Sequence, residues 1–159
     1  MNKIIVVDDH PLFREGIKLL IENEGLGKVI AEAENGQVLL EMLETLQPDL
    51  VIMDIEMPVM GGLEATRKAL QIRPELRVLV LTMLNDKANY FEMTDAGVSG
   101  FVLKTAGKQE FEKAINTIIR GACYFSNDVL RQIILNMDHN GEMMFNKANR
   151  HHEKLSSRE

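Results

Sequence analysis

An apolar run, Leu50-Val51-Ile52-Met53, stops on the carboxylate of Asp54, and Pro58 follows before another run begins. A short run without polar alternation, bounded by a breaker, reads as a parallel strand, because only a strand covered on both faces is apolar at every position. Such strands belong to sheets wound by crossover helices, and ligands there bind beyond the strands' carboxyl ends. Asp54 stands at that end and is the candidate reactive group.

The same pattern recurs along the chain. Lys3-Ile4-Ile5-Val6-Val7 is a β-branched strand ending on Asp8-Asp9. Pro11 suits the first turn of a helix whose face is Leu12, Gly16, Leu19 and Leu20. Val29-Ile30-Ala31 is a short second strand, and Asn35-Gly36 opens a helix with Val38, Leu39, Met42, Leu43 and Leu46 at helical spacing. After the third strand, Gly61-Gly62 leads into a helix from Leu63 to Ile72, stopped by Pro74. Arg77-Val78-Leu79-Val80-Leu81-Thr82 is a fourth strand. A weakly amphipathic helix from Asp86 to Ala96 is closed by Gly97. Gly100-Phe101-Val102-Leu103-Lys104 is a fifth strand. Phe111, Ala114, Ile115, Ile118 and Ile119 then mark the clearest amphipathic helix, which ends at Gly121. Five strand–helix units in alternation predict an α/β fold, a doubly wound parallel sheet with right-handed crossovers.

In a parallel sheet all strand tips of one sense share an edge, so Asp8-Asp9, Asp54, Thr82 and Lys104 can converge. Each has an ordinary reading taken singly. An aspartate before Pro11 can cap a helix, Asp54 can cap a turn, Thr82 suits a strand edge and Lys104 suits a solvated surface. Taken together they favour function, since clustered carboxylates repel one another unless a cation joins them. Mg²⁺ typically takes one or two carboxylates and keeps several waters. Mg²⁺, a lysine and a hydroxyl around one carboxylate suit a phosphoryl group, with Asp54 as nucleophile.

Charge narrows the partners. The formal charge is −6, and residues 121–159 hold five basic and five acidic side chains, so the whole excess lies in residues 1–120. An acidic body has little attraction for nucleic acid phosphates. The apolar stretch at the N-terminus is too short for a secretory leader or a membrane span. The single cysteine, Cys123, excludes an intramolecular disulfide, fits a reducing cytoplasm, and reads as a small buried hydrophobe rather than a nucleophile.

Four stretches, in order, resemble a known family. Val6-Val7-Asp8-Asp9-His10-Pro11-Leu12-Phe13-Arg14, Met53-Asp54-Ile55-Glu56-Met57-Pro58-Val59-Met60-Gly61-Gly62, Leu81-Thr82 and Gly100-Phe101-Val102-Leu103-Lys104 are similar to the receiver domain of two-component response regulators. The Asp-Asp-His-Pro opening further resembles the NarL/FixJ subfamily of transcription factors, and the likeness covers about residues 1–121. It implies a flavodoxin-like (βα)5 fold with strand order 2-1-3-4-5, and phosphoryl transfer to Asp54 from a phosphohistidine on a sensor histidine kinase. It also implies Mg²⁺ held by Asp8, Asp9, Asp54 and the backbone carbonyl of Glu56, a phosphate contact from Lys104, and a Thr82/Phe101 switch. In that switch the hydroxyl moves toward the phosphoryl oxygens and the ring turns inward. Glu56 and Leu84 sit where the family tunes phosphoryl lifetime. Many receivers place proline after the lysine, with a cis peptide between them. Here Thr105 follows, and a cis bond costs about 3 kcal/mol without proline.

Beyond residue 121 the pattern loosens. Val129, Leu130, Ile133, Ile134 and Met137 recur at helical spacing, predicting a further helix over 127–137 within a linker spanning 122–154. That helix packs on the receiver or a partner, or serves only as a linker. Residues 138–154 are polar and mixed in charge, reading as a flexible segment. His151-His152 have no further ligands near them in sequence, and adjacent residues do not share a helix face, which argues against a metal there. Leu155-Ser156-Ser157-Arg158-Glu159 carries a capping-box spacing and resembles the opening of a LuxR-type helix-turn-helix domain. The expectation is that residues 155–159 begin a DNA-binding domain whose remainder lies beyond this sequence. Any DNA contact is expected only through it.

Three functions follow from different classes. The first is a phosphorylation-dependent switch that catalyses only its own phosphoryl transfer and dephosphorylation, alters a dimerisation surface and controls transcription. The second is a receiver-like binding module independent of phosphorylation, against which the intact acidic pair and lysine argue. The third is a metal-dependent phosphohydrolase with an aspartyl intermediate. Glu56 rather than aspartate lies two residues beyond Asp54, contrary to the pattern that reaction prefers.

Overall fold

The computed structural model describes residues 1–84 and 90–135. Among these, the elements run β1 (Lys3–Val7), α1 (Pro11–Asn23), β2 (Lys28–Ala33), α2 (Gly36–Met42), β3 (Leu50–Asp54), α3 (Gly62–Ile72), β4 (Arg77–Thr82), α4 (Tyr90–Ala96), β5 (Gly100–Leu103), α5 (Lys108–Ile119) and β6 (Tyr124–Phe125). A last helix, α6, covers 127–135. The strands form one sheet, in order β2-β1-β3-β4-β5-β6, and every pairing is parallel.

The predicted order 2-1-3-4-5 is present, and a sixth strand extends it. With two residues, β6 leaves no period for a sequence reading to detect. Its place depends on Gly100, where a Cβ would run into the Tyr124 carbonyl, so the bare glycine backbone lets β6 lie against β5. The expected 127–137 helix is present from 127 to 135, and it packs on the sheet through Val129, which is wholly buried. The readings placed on residues 86–89, 136–137 and 138–159, including His151-His152, lie outside the described residues. Helix α2 ends at Met42 rather than continuing to Leu46, although Leu46 still packs on the core from the turn that follows. The expectation that Cys123 is buried is corrected: its position just ahead of the edge strand leaves it exposed.

The apolar run of β3 is explained by two core layers, one on each side of the sheet. Val51 and Met53 face the layer closed by α2, α3, α4 and α6, where Leu39, Ala65, Ala69, Met93 and Val129 pack. Leu50 and Ile52 face the layer closed by α1 and α5, with Ile21, Phe111, Ile115 and Ile118. Since successive side chains of a strand point to opposite faces, neither face of β3 tolerates a polar residue. All five residues of β3 are buried, Asp54 included.

Local chemistry sets the helix starts. Pro11 opens α1, and the Asn35 side chain accepts a hydrogen bond from the Val38 N–H (3.0 Å) to cap α2. Helix α3 starts directly under the tip of β3, where a Cβ on Gly62 would lie 2.5 Å from the Asp54 carbonyl oxygen. Only glycine lets that helix approach the strand end so closely.

Candidate functional site

At the carboxyl edge of the sheet, Lys104 leaves the end of β5 and reaches back across β4 and β3. Its Nζ donates to Asp54 Oδ2 (2.9 Å) and to Asp8 Oδ2 (3.0 Å), joining the tips of β1 and β3. The lysine side chain is 12% exposed, against 2% for Asp8 and 9% for Asp54, so the bridge is largely withdrawn from water. The Phe13 ring lies against the same ammonium, 4.6 Å from Nζ to centroid. Asp54, Thr82 and Lys104 line one cleft of about 410 Å³ together with Asp9, His10, Glu56 and Met83.

Electrostatics follow from the crowding. Burial pushes the Asp54 carboxyl above its ordinary range, and the charge of Asp8 adds to this, while the hydrogen bond and charge of Lys104 pull the other way. Lys104 is subject to the same burial, which disfavours its charge, yet the two carboxylates hold its ammonium above the usual lysine value. Two acids and one base within hydrogen-bond distance leave a net negative site.

Asp8 is already engaged on both oxygens. Its Oδ1 accepts from the His10 N–H (2.8 Å) and lies 3.0 Å from His10 Nδ1, while Oδ2 takes Lys104. Arg14 steadies the same loop, donating from Nη1 to the Asp8 carbonyl (2.6 Å) and from Nε to Glu32 Oε1 (3.3 Å). Asp9 differs. Its Oδ1 is enclosed and has no hydrogen-bond donor, although His10 Nδ1 is 3.2 Å away. Ligand atoms of Asp8, Asp9, His10 and Asp54 all lie within 4.8 Å of one another. An orphaned carboxylate oxygen beside two further carboxylates is a set of hard donors, and it can bind a metal ion.

The structure therefore brings together Asp8, Asp9, Asp54, Thr82 and Lys104, with Glu56 on the cleft wall. Phe101 lies one strand away with its ring wholly buried, edge-on to Tyr90 (5.3 Å, 82°) and tilted against Phe125 (5.7 Å). Thr82 donates from Oγ1 to the Met83 carbonyl (2.9 Å), and the Tyr90 hydroxyl lies 3.2 Å from Thr82 Oγ1. Among the described residues no peptide bond is cis, the Lys104–Thr105 bond included.

Sequence reasoning missed three contributors: Tyr90, Phe13 beneath Lys104, and Arg14 on the Asp8 carbonyl. Tyr90 opens a helix too weakly amphipathic to show which side chains turn inward. The other two contacts join residues far apart in the chain or tie a side chain to backbone, and neither leaves a spacing to read.

Residues 4–116 match the family described as the response regulator receiver domain. Among curated relatives, the response regulator GacA of Pseudomonas aeruginosa is 40% identical over 136 residues, covering 85% of this chain and 63% of that protein. The transcriptional regulatory protein DegU of Brevibacillus brevis is 35% identical, covering 83% and 56%. The chain thus spans somewhat under two thirds of the length of these relatives. Among solved structures, a LuxR-family two-component response regulator from Aurantimonas sp. SI85-9A1 superposes with a TM-score of 0.79 at 35% identity, covering 86% of this chain and 97% of that one. The isolated REC domain of RcsB from Salmonella enterica serovar Typhimurium, solved with the phosphomimetic BeF3⁻, gives 0.75 at 28% identity, covering 82% and 97%. With the flavodoxin-like sheet and its acidic edge in place, the match over most of the chain settles the family: this protein belongs to the response regulator receiver domains.

Proposed function

We propose that Asp54 is the phosphoacceptor of a phosphorylation-activated switch, charged by a sensor histidine kinase. The observation that carries this reading is the Lys104 bridge, which holds one ammonium on both Asp54 and Asp8 at the mouth of a solvent-open cleft. An Asp54 carboxylate oxygen attacks the phosphorus of the donor phosphohistidine, the P–N bond breaks, and an acyl phosphate forms on Asp54. Burial and the Lys104 contact orient the nucleophile, and the same ammonium is within reach of an oxygen of the incoming phosphoryl group. Asp8, Asp9 and Asp54, with the Glu56 carbonyl, would hold Mg²⁺, which supplies positive charge against the transferring oxygens. Thr82 contributes its hydroxyl as a donor to the phosphoryl group, and Phe101 belongs to the packing that responds. The chain catalyses only its own phosphorylation and dephosphorylation.

In the same reading, residues 1–121 are the receiver, 122–154 a linker with one helix, and 155–159 the start of a LuxR-type DNA-binding domain. Phosphorylation promotes homodimerisation, and DNA is bound through the C-terminal domain alone. The setting is cytoplasmic; among the described residues no helix is long and apolar enough to cross a membrane.

The test is incubation with Mg²⁺ and a small phosphodonor, read by intact mass. One added phosphoryl group is expected, with none on Asp54→Asn or after chelation of the metal. Undiminished phosphorylation of Asp54→Asn refutes the assignment. The association state with and without beryllofluoride tests the dimerisation step.

A further inference from the structure

The Thr82 hydroxyl lines the cleft edge yet is committed elsewhere. Its proton goes to the Met83 carbonyl (2.9 Å), so toward Tyr90 (3.2 Å) it acts as acceptor and the phenol as donor. Both groups are buried: Thr82 is 1% exposed and Tyr90 3%. Among the described residues, the Tyr90 hydroxyl has one other acceptor within reach, the same Met83 carbonyl at 3.5 Å, currently too long for a strong bond. Phe101, packed edge-on against the Tyr90 ring, has no hydroxyl to offer either partner.

We propose that Tyr90 is a positioning residue that parks the Thr82 hydroxyl away from Asp54 and changes partner when Asp54 is phosphorylated. To donate to a phosphoryl oxygen, Thr82 must release Met83, and the rotation that carries Oγ1 toward Asp54 takes it out of reach of Tyr90. A buried phenol does not remain unpaired cheaply. The Met83 carbonyl, just vacated by Thr82, is the acceptor at hand. Tyr90 closing onto it draws the segment after β4 toward α4, and Met83 and Leu84 there are half exposed, so the movement alters the protein's surface. Tyr90 thereby links the chemistry of the cleft to α4 through one hydrogen-bond exchange. The ring itself stays packed against Phe101 throughout.

This inference rests on Asp54 as phosphoacceptor, and the experiment separates the two. The full 159-residue chain is titrated with beryllofluoride in the presence of Mg²⁺, by calorimetry, for wild type, Tyr90→Phe, Thr82→Val and the double variant. Tyr90→Phe keeps the ring and removes the latch, so its apparent affinity should rise about three- to tenfold, the range that one net hydrogen bond spans. In the Thr82→Val background the same substitution should change affinity less than about twofold, because no hydroxyl remains to be parked. A packing role would instead show equally in both backgrounds. Tyr124→Phe leaves Tyr90 as the sole tyrosine in a chain without tryptophan, and its fluorescence should change on beryllofluoride addition. Affinity unchanged in Tyr90→Phe, or an effect as large in the Thr82→Val background, overturns the role of Tyr90 while leaving Asp54 intact. Failure of wild type to bind beryllofluoride overturns both.

Discussion

Replacing Lys104 by glutamine leaves two carboxylates facing each other at a buried edge. In the native site Nζ is 2.9 Å from Asp54 and 3.0 Å from Asp8, with the three side chains between 2% and 12% exposed. Removing one partner of a buried ion pair costs about 3–5 kcal/mol, because the remaining charge is left uncompensated. Here two charges are left, but the cleft opens to solvent past the exposed His10, and water screens them from that side. The lower end, about 3 kcal/mol, is therefore expected for Lys104→Gln without metal. With a urea dependence of about 2 kcal/mol per molar, the unfolding midpoint should fall by roughly 1.5 M. A divalent cation answers the same deficit: at about a hundredfold excess over its dissociation constant it contributes about 2.7 kcal/mol. Mg²⁺ should therefore return the variant close to the stability of metal-free wild type. Adding Asp54→Asn to Lys104→Gln should also recover stability, since it removes a charge that has lost its partner. Equilibrium urea unfolding, with and without Mg²⁺, measures all of these. A metal-free loss under about 1 kcal/mol, or a loss indifferent to Mg²⁺, would refute the account of the bridge as charge compensation.

Other consequences are as direct. Gly100→Ala forces a methyl into the Tyr124 carbonyl and should cost about 2 kcal/mol, as overpacking does, with hydrogen exchange rising first in β6. Val59 is the one described non-glycine residue at positive φ (67°) and is largely exposed, so Val59→Asn should stabilise by about 1 kcal/mol in thermal unfolding. Tyr124 titrates above the usual tyrosine range because of its partial burial and the neighbouring Glu110, to which it donates (3.2 Å). That contact supports the fold below the unfolded tyrosine pKa and is lost as pH rises through the higher folded one. Glu110→Gln should shift the phenolate absorbance transition downward, and an unmoved transition would remove Glu110 as a cause.

Much of this molecule could be read along the chain. The apolar run of β3, the acidic end of β1, Thr82 and Lys104 announced four of the five predicted parallel strands and the residues at their tips, because strand direction and two-sided burial are local properties of a sequence. The opening of α2 at Asn35-Gly36 and the start of α1 at Pro11 were legible too, because turn and proline chemistry is also local, whereas the cap that the Asn35 side chain gives α2 came from the structure. Fold and candidate site thus came largely from patterns spanning a few residues each. The exceptions have a common cause: Cys123 was expected inside and is exposed, and β6 was not expected at all. Both depend on how the chain after α5 meets β5, where a missing side chain at Gly100 makes room.

Only the tertiary structure decided who holds whom at the edge of the sheet. Ninety-six residues separate Lys104 from Asp8, and no spacing says that its ammonium bridges two strand tips over the ring of Phe13. Nor does the sequence say that Tyr90 holds the Thr82 hydroxyl, or that Asp9 keeps an oxygen without a donor. Periodicity reports which face a residue takes, and composition reports what chemistry it carries. Distances between side chains on different strands are set by packing across the whole sheet, and those distances define this site.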